Sequence, residues 1–320
     1  MTAPPDLAEL LDRVHVVALP MRVRFRGITI REVALIDGPA GWGEFGAFLE
    51  YDPPEAAQWL ASAIEAAYEK PLPVRRDRIP VNATVPAVAP EQVPELLARF
   101  PGARTAKVKV AEPGQTLDDD VARVEAVRAY VPIVRVDANG GWSVDEAVAA
   151  AKALGSLEYI EQPCRTVDEL AEVRRRIDVP VAADESIRKA DDPLHVVRAG
   201  AADVAVLKVA PLGGPTALLK IAEQIDIPVV ISSALDSAVG IATGLQAAAA
   251  LPTLQHACGL ATGRLFEEDV AEAVQPVDGS LLVAPVAPDP ARLEALRASG
   301  ERRDWWIRRI IACHRVLTLR

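Results

Sequence analysis

Cysteine is scarce in this 320-residue chain: Cys164, Cys258 and Cys313 are its only three. They are odd in number and widely scattered, which argues against a disulfide framework and a Cys-rich zinc site and favours a reducing, cytoplasmic setting. No segment approaches the roughly 18 consecutive apolar residues that span a bilayer. The opening Met1-Thr2-Ala3-Pro4-Pro5-Asp6 has no basic leader, and the apolar stretch 14–19 is too short for a signal core. A soluble protein with no integral membrane segment is the expectation. Positive charge is in deficit, with 35 Lys and Arg against 45 Asp and Glu, so a nucleic-acid surface is excluded as a main function. Nor does a Gly-rich phosphate or dinucleotide loop open any helix, which counts against nicotinamide and ATP chemistry.

What is present is apolar material and a rhythm. Half of the composition is hydrophobic, enough for one barrel-sized core with a smaller attachment. Residues 14–25 and 28–36 are rich in β-branched side chains. They precede the turn cluster Asp37-Gly38-Pro39-Ala40-Gly41, and residues 56–68 carry a helical period begun by Pro53-Pro54. Residues 1–80 therefore read as an α+β cap, completed by a strand and tail from 275–320. From residue 81 to 274, short β-rich runs alternate with helical segments. The runs are 81–85, 106–110, 133–137, 159–161, 181–184, 204–208, 229–232 and, more weakly, 254–257. Helices over 118–130 and 143–154 supply crossovers, and no full eighth helix follows Gly259. The fold expected is α/β, a modified TIM barrel (β/α)7β. A doubly wound open sheet is the runner-up, but it leaves polar residues at successive strand ends unexplained. The stretch Arg302 to Ile311 permits a membrane or partner helix; a terminal helix packing its Trp and Ile on the body, arginines in water, is the favoured reading.

Asp137, Glu161 and Asp184 end three consecutive runs. Hard oxygen donors converging in this way suit Mg²⁺, or Mn²⁺, whereas zinc would want His or Cys. An acid alone at a strand end is more often a cap or an ion pair; three in phase with the repeat favour metal. Lys107 and Lys109, one residue apart on a strand, share a face. As a pair alone they would read as a surface strand, but Lys208 ends a strand on the opposite side and is hard to expose. A lysine whose protonation is disfavoured by burial and nearby positive charge can serve as a general base. Beside a divalent ion, the set fits removal of a proton next to a carboxylate, so the expected partner is a small-molecule carboxylate substrate.

Lys107-Val108-Lys109, Asp137-Ala138-Asn139, Glu161-Gln162-Pro163, Ala183-Asp184-Glu185-Ser186 and Lys208, in this order and spacing, resemble the enolase superfamily in its muconate-lactonizing subgroup. Gly41-Trp42-Gly43-Glu44 resembles the signature of that family's cap. Arg135, Ser232-Ser233-Ala234-Leu235-Asp236-Ser237 and Phe25-Arg26-Gly27 resemble a branch that dehydrates a succinyl-bearing hydroxycyclohexadiene carboxylate. The resemblance implies that Lys109 takes the α-proton and returns it to the departing hydroxyl, while Lys208 faces the developing enediolate and Lys107 orients Lys109. It implies that Arg135 acts on Lys109 or Asp137 from behind, and that Ser232, Ser233 and Gly259 line the succinyl end. For the serines a turn-stabilising role is equally open, and for Phe45 and Phe48 core packing competes with closure over the substrate. Racemisation of N-succinylamino acids uses the same lysines and stands as the alternative. Dipeptide epimerisation fits poorly, since Cys258-Gly259-Leu260-Ala261 holds no acid pair for an ammonium. A Schiff-base aldolase would need no acid trio, and a non-catalytic metal-binding relative would not need both lysines. Spacing does not set the oligomeric state; trimmed loops are compatible with a monomer.

Overall fold

A computed structural model describes residues 4–189, 192–272 and 275–319; the expected boundary at 274 and the residues Met1–Ala3 lie outside them. Strands β1 (Val14–Phe25), β2 (Ile28–Gly38) and β3 (Gly41–Phe45) form an antiparallel meander. Both of its faces are apolar, and alternation sorts them. Val14, Val16, Ala34 and Ile36 join one cluster with the helix Pro53–Tyr68, while Val17, Leu19, Val33 and Leu35 join the barrel core. A sheet covered on both sides reads as continuous β-branched sequence.

β4 (Arg78–Pro80) pairs antiparallel with the late strand β12 (Ser280–Leu282). The barrel follows as β5 (Ala83–Val85), β6 (Thr105–Lys109), β7 (Ile133–Asp137), β8 (Ile160–Glu161), β9 (Val181–Ala183), β10 (Val204–Lys208) and β11 (Val229–Ser232), parallel neighbours in sequence order. Three successive crossover helices open on a capping box, Thr116 with Asp119, Ser143 with Glu146 and Thr166 with Glu169, which fixes where each chain reversal ends.

The eighth strand differs from expectation. Residues 254–257 are irregular, and closure falls to Cys258 and Gly259, which bridge Val81 and Ser232 respectively. Asn82 N donates to Cys258 O (3.0 Å), Cys258 N to Pro80 O (2.7 Å), Gly259 N to Ile231 O (2.9 Å) and Ser233 N to Gly259 O (2.9 Å). Two residues thus satisfy both sheet edges, and so short a strand has no periodic signature to read. Glycine at 259 leaves room for the Ser232 hydroxyl, which a Cβ there would displace.

The tail, 275–319, runs back to the N-terminal residues, and differs from expectation in its arginines. Besides β12 it contributes a bridge to the cap sheet, Val17 to Arg297, flanked by Ala18 N to Leu296 O (2.9 Å) and Ala298 N to Val16 O (3.0 Å), and its main element is the helix Gly300–Thr318. Trp306, Ile310 and Cys313 recur at helical spacing and are buried in the cap cluster. Its arginines are not all in water: Arg302 and the Trp306 indole N–H bind Glu32, and buried Arg309 donates to the carbonyls of Ala47, Phe48 and Tyr51. Phe45 meets Trp306 edge-on at 5.4 Å and Phe48 meets Trp59 at 5.7 Å, so both phenylalanines are cap core. Among the described residues no helix is long and apolar enough to cross a membrane.

Cap and barrel are joined by charge as well as by apolar surface. Glu44 Oε2 accepts from Ser237 N (3.0 Å), Gly240 N (3.2 Å) and the Ser237 hydroxyl, capping the barrel helix Ala238–Ala250 from another element. Arg31 Nε donates to Leu235 O at 3.1 Å. Burial, then the neighbouring Asp236, push the Glu44 carboxyl from 4.5 up to about 8. A raised folded-state pKa gives stability that is complete below 4.5 and lost as pH rises through about 8. Melting temperature should therefore fall between pH 5 and 8, and fall less in Glu44→Gln; identical pH slopes for the two proteins would refute this.

Candidate active site

Parallel register sets the strand ends side by side: Lys109 opposite Asp137, Asp137 opposite Glu161, and Lys208 opposite Ser232. Asp184 follows β9 directly and begins the turn Glu185–Arg188. Lys107, Lys109, Asp137, Glu161, Asp184 and Lys208 are brought together, as their spacing predicts. Val108 between the lysines is fully buried in the core on the other side of the strand.

The contacts pair each acid with an amine. Lys107 Nζ lies 2.7 Å from Glu161 Oε1 and 3.2 Å from Asp137 Oδ2, and Lys109 Nζ lies 2.6 Å from Asp137 Oδ2. Lys208 is bonded to Asp184 Oδ2, and Arg188 Nε reaches Asp184 Oδ1 at 3.0 Å. Among the described residues no three His, Cys, Asp or Glu side chains are drawn around one point as they would be around an ion. The donor set nevertheless fits a hard divalent cation. Three carboxylates occupy adjacent strand ends, and Glu161 Oε2 is buried with no hydrogen-bond partner. Burial, then Asp137, push the Glu161 carboxyl up to about 7 in spite of Lys107, so its charged form lacks the stabilisation a bound cation would supply.

Protonation is asymmetric across the two β6 lysines. Burial lowers Lys109, and although Asp137 pulls upward, Lys107 adds repulsion. Burial opposes charge on Lys107 too, but Glu161 and Asp137 outweigh it and hold that amine protonated. Asp137 is held well below the usual carboxylate range, because Lys109 and Lys107 overcome the cost of its burial. Asp184, also buried, is lowered to about 2 by Lys208 and Arg188.

Three residues that sequence reasoning did not single out fix these groups. Gln162 Oε1 accepts from the backbone N–H of Asp184 (3.0 Å) and Ser186 (3.2 Å), tying the β8 end to the β9 end. Asn139 accepts from Lys109 and donates to Glu185 at 3.2 Å. Arg188 also binds Glu185 at 2.6 Å and the Tyr51 hydroxyl at 3.3 Å, linking cap to strand end. Asn139 and Gln162 both have positive φ (46° and 42°) just past a strand end, and their places inside the two motifs were the available signal.

Other expected residues stand differently. Arg135 is fully buried, but it donates to Glu158 (2.8 Å), the Tyr159 hydroxyl (2.7 Å) and Ala257 O (3.0 Å), not to Lys109 or Asp137. Its place two residues before Asp137 puts it a full pleat lower in the barrel, where it braces the eighth segment. The Ser233 hydroxyl is bonded to Gly259 O (2.9 Å) and Thr262 Oγ1 (2.7 Å), a closure role. Ser232 and Gly259 face each other at the β11 end.

A cavity of about 420 Å³ opens above Lys109 and Asn139. Arg24, Phe25 and Arg26 of the cap hairpin line one side of it, and Arg188 and Lys189 another. Phe25 stands 5.6 Å from the Lys109 ammonium, and Arg26 rests on the Phe48 ring. The lining is rich in positive charge despite the chain's net charge of −10, as a site for an anionic substrate requires.

A closed parallel barrel with a cap over its strand ends, where amines alternate with acids, defines a class: barrel enzymes that handle protons on small carboxylates. Residues 91–289 match the model described as enolase C-terminal domain-like, and 16–67 match enolase N-terminal domain-like. The chain belongs to the enolase superfamily, whose enzymes generally use a divalent metal. It is 78% identical over 317 residues to o-succinylbenzoate synthase of Mycobacterium marinum, covering 98% of this chain and 97% of the relative. It is 72% identical over 316 residues to the enzyme of that name from Mycolicibacterium smegmatis, covering 98% of each. Muconate lactonizing enzyme from Pseudomonas fluorescens, solved with muconolactone, shares the fold with a TM-score of 0.73 at 23% identity, over 89% of this chain and 98% of that one.

Proposed function

We infer that the chain is an o-succinylbenzoate synthase. Such a hydro-lyase dehydrates 2-succinyl-6-hydroxy-2,4-cyclohexadiene-1-carboxylate to 2-succinylbenzoate in menaquinone biosynthesis. The observation that carries this is identity of 72% to 78%, over nearly the whole chain, to relatives of that name. In this reading Asp137, Glu161 and Asp184 hold Mg²⁺, or Mn²⁺, which the same oxygens accept. The ion, when bound, supplies a Lewis acid for the substrate carboxylate.

Lys109 takes the proton from the ring carbon bearing the carboxylate, where burial eases the loss of its own proton. The released electron pair moves into the carboxylate, toward which Lys208 presents an ammonium steadied by Asp184. As the pair returns, the adjacent C–O bond breaks on the same face. Lys109 hands its proton to the leaving hydroxide, so water departs and the ring becomes aromatic. Lys107, kept charged by Glu161 and Asp137, orients Lys109 and favours its neutral form. Ser232 and Gly259 border the succinyl end, and a cytoplasmic setting fits the three buried free cysteines.

The test is turnover of the cyclohexadiene substrate by purified protein, with racemisation of an N-succinylamino acid assayed in parallel. Dehydration should be fast, abolished by EDTA and restored by Mg²⁺, with little racemisation. Racemisation alone would overturn the substrate while keeping the lysines, and full activity in excess chelator would overturn the metal.

A further inference from the structure

Arg123 lies midway along the helix Leu117–Arg128, on the outer layer of the barrel, where an arginine ordinarily reaches water. Here it is 1% exposed and turns inward. Its guanidinium donates to Val88 O (2.7 Å), Lys109 O (2.8 Å) and Asp120 Oδ1 (2.9 Å), and to Gln115. Asp120, itself buried, uses Oδ2 to accept from Ala111 N at 2.9 Å, and Gln115 Nε2 donates to Ala87 O at 3.1 Å. Ala111 has φ of 57°, a conformation alanine avoids unless held. One ion pair and one amide therefore grip the chain just past β5 and just past β6, both of which border the cavity above Lys109.

We propose that Arg123, through Asp120 and Gln115, is a positioning residue that sets where the Lys109 amine meets substrate. Packing alone would be served by an apolar side chain. A buried charge whose donors go to the carbonyls of Lys109 and Val88 instead holds the backbone from which the amine extends. The inference rests on Lys109 being the base. Displacement of a reacting group by about 1 Å costs on the order of 10²-fold in rate even when the mutated residue is remote from the chemistry.

The experiment compares Arg123→Lys, Arg123→Met, Asp120→Asn and Gln115→Ala in the Mg²⁺-loaded enzyme, measuring kcat, KM, melting temperature and, by calorimetry, Mg²⁺ affinity. A fall in kcat of about 10- to 100-fold is expected for Arg123→Lys. KM and Mg²⁺ affinity should change little, and the loss for Gln115→Ala should be smaller. If Arg123→Met does not fold, Arg123→Lys and Gln115→Ala still decide the matter. Unchanged kcat in the folded variants, or losses that only track the folded fraction, would overturn the proposal. Lys109→Ala run alongside separates the two readings: full activity in that variant removes the base assignment itself, whereas inactivity there with an active Arg123→Lys removes only the role of Arg123.

Discussion

Lys109→Ala should lower turnover of the cyclohexadiene by roughly 10²- to 10⁴-fold, the usual worth of a positioned proton-transfer group, with divalent-ion binding nearly intact. The loss falls at the upper end because one amine serves twice, first as base and then as acid to the hydroxide. Metal binding survives because the deleted amine is not a metal ligand and all three acids remain, Asp137 with Lys107 still 3.2 Å away. Lys109→Arg should fail equally, since a guanidinium cannot give up its proton near neutral pH. Steady-state kinetics with calorimetric titration of Mg²⁺ check both halves. Normal turnover in Lys109→Ala would sink the base assignment.

Asp184→Ala should cost metal affinity and activity together, and should destabilise the fold as well. The carboxylate is fully buried and answers two buried cations, Lys208 through Oδ2 and Arg188 through Oδ1. Removing one partner of a buried pair typically costs about 3–5 kcal/mol, because the charge left behind stays out of water. Arg188 retains Glu185 at 2.6 Å, so the stranded charge is chiefly that of Lys208. The same pairing lowers Asp184 to about 2 from 3.8, so its stabilisation is present above pH 4 and lost as pH falls through about 2. Wild type should lose this increment in acid and Asp184→Ala should have none to lose. Unchanged Mg²⁺ affinity in the variant would count against the three-acid cage.

Much of this site was legible because a barrel turns distance along the chain into position around a ring. A gap of one strand–helix unit moves a residue to the next strand end, so Lys109, Asp137, Glu161, Asp184 and Lys208 declare their proximity by spacing alone. Arg135 was misread for a related reason: two residues along a strand keep a side chain on the same face but lower it by a full pleat, so it reaches Tyr159 and Ala257 rather than Asp137. The closing strand was placed a few residues early because Cys258 and Gly259 are too few to carry a pattern. The tail's arginines looked solvated because nothing near them in sequence needs a donor, whereas the carbonyls of 47, 48 and 51 that take Arg309 arrive from the far end of the chain.

By itself the sequence determined the chemistry available: three acids and two lysines at strand ends, with Lys107 two residues below Lys109, in an α/β frame without cysteine-rich or glycine-rich cofactor motifs. These are properties of residue type and of separation within one repeat, which local backbone geometry converts directly into place. Only the tertiary structure decided which amine faces which acid, how the cap's Glu44 and Arg31 grip the loop after β11, and that Arg123 turns inward to hold Lys109. The Arg31 bond to Leu235 spans 204 residues of chain, and contacts of that length depend on how whole layers pack. Burial of both Lys107 and Lys109, and the carboxylate contacts that outweigh it only at Lys107, exist only once those layers have closed.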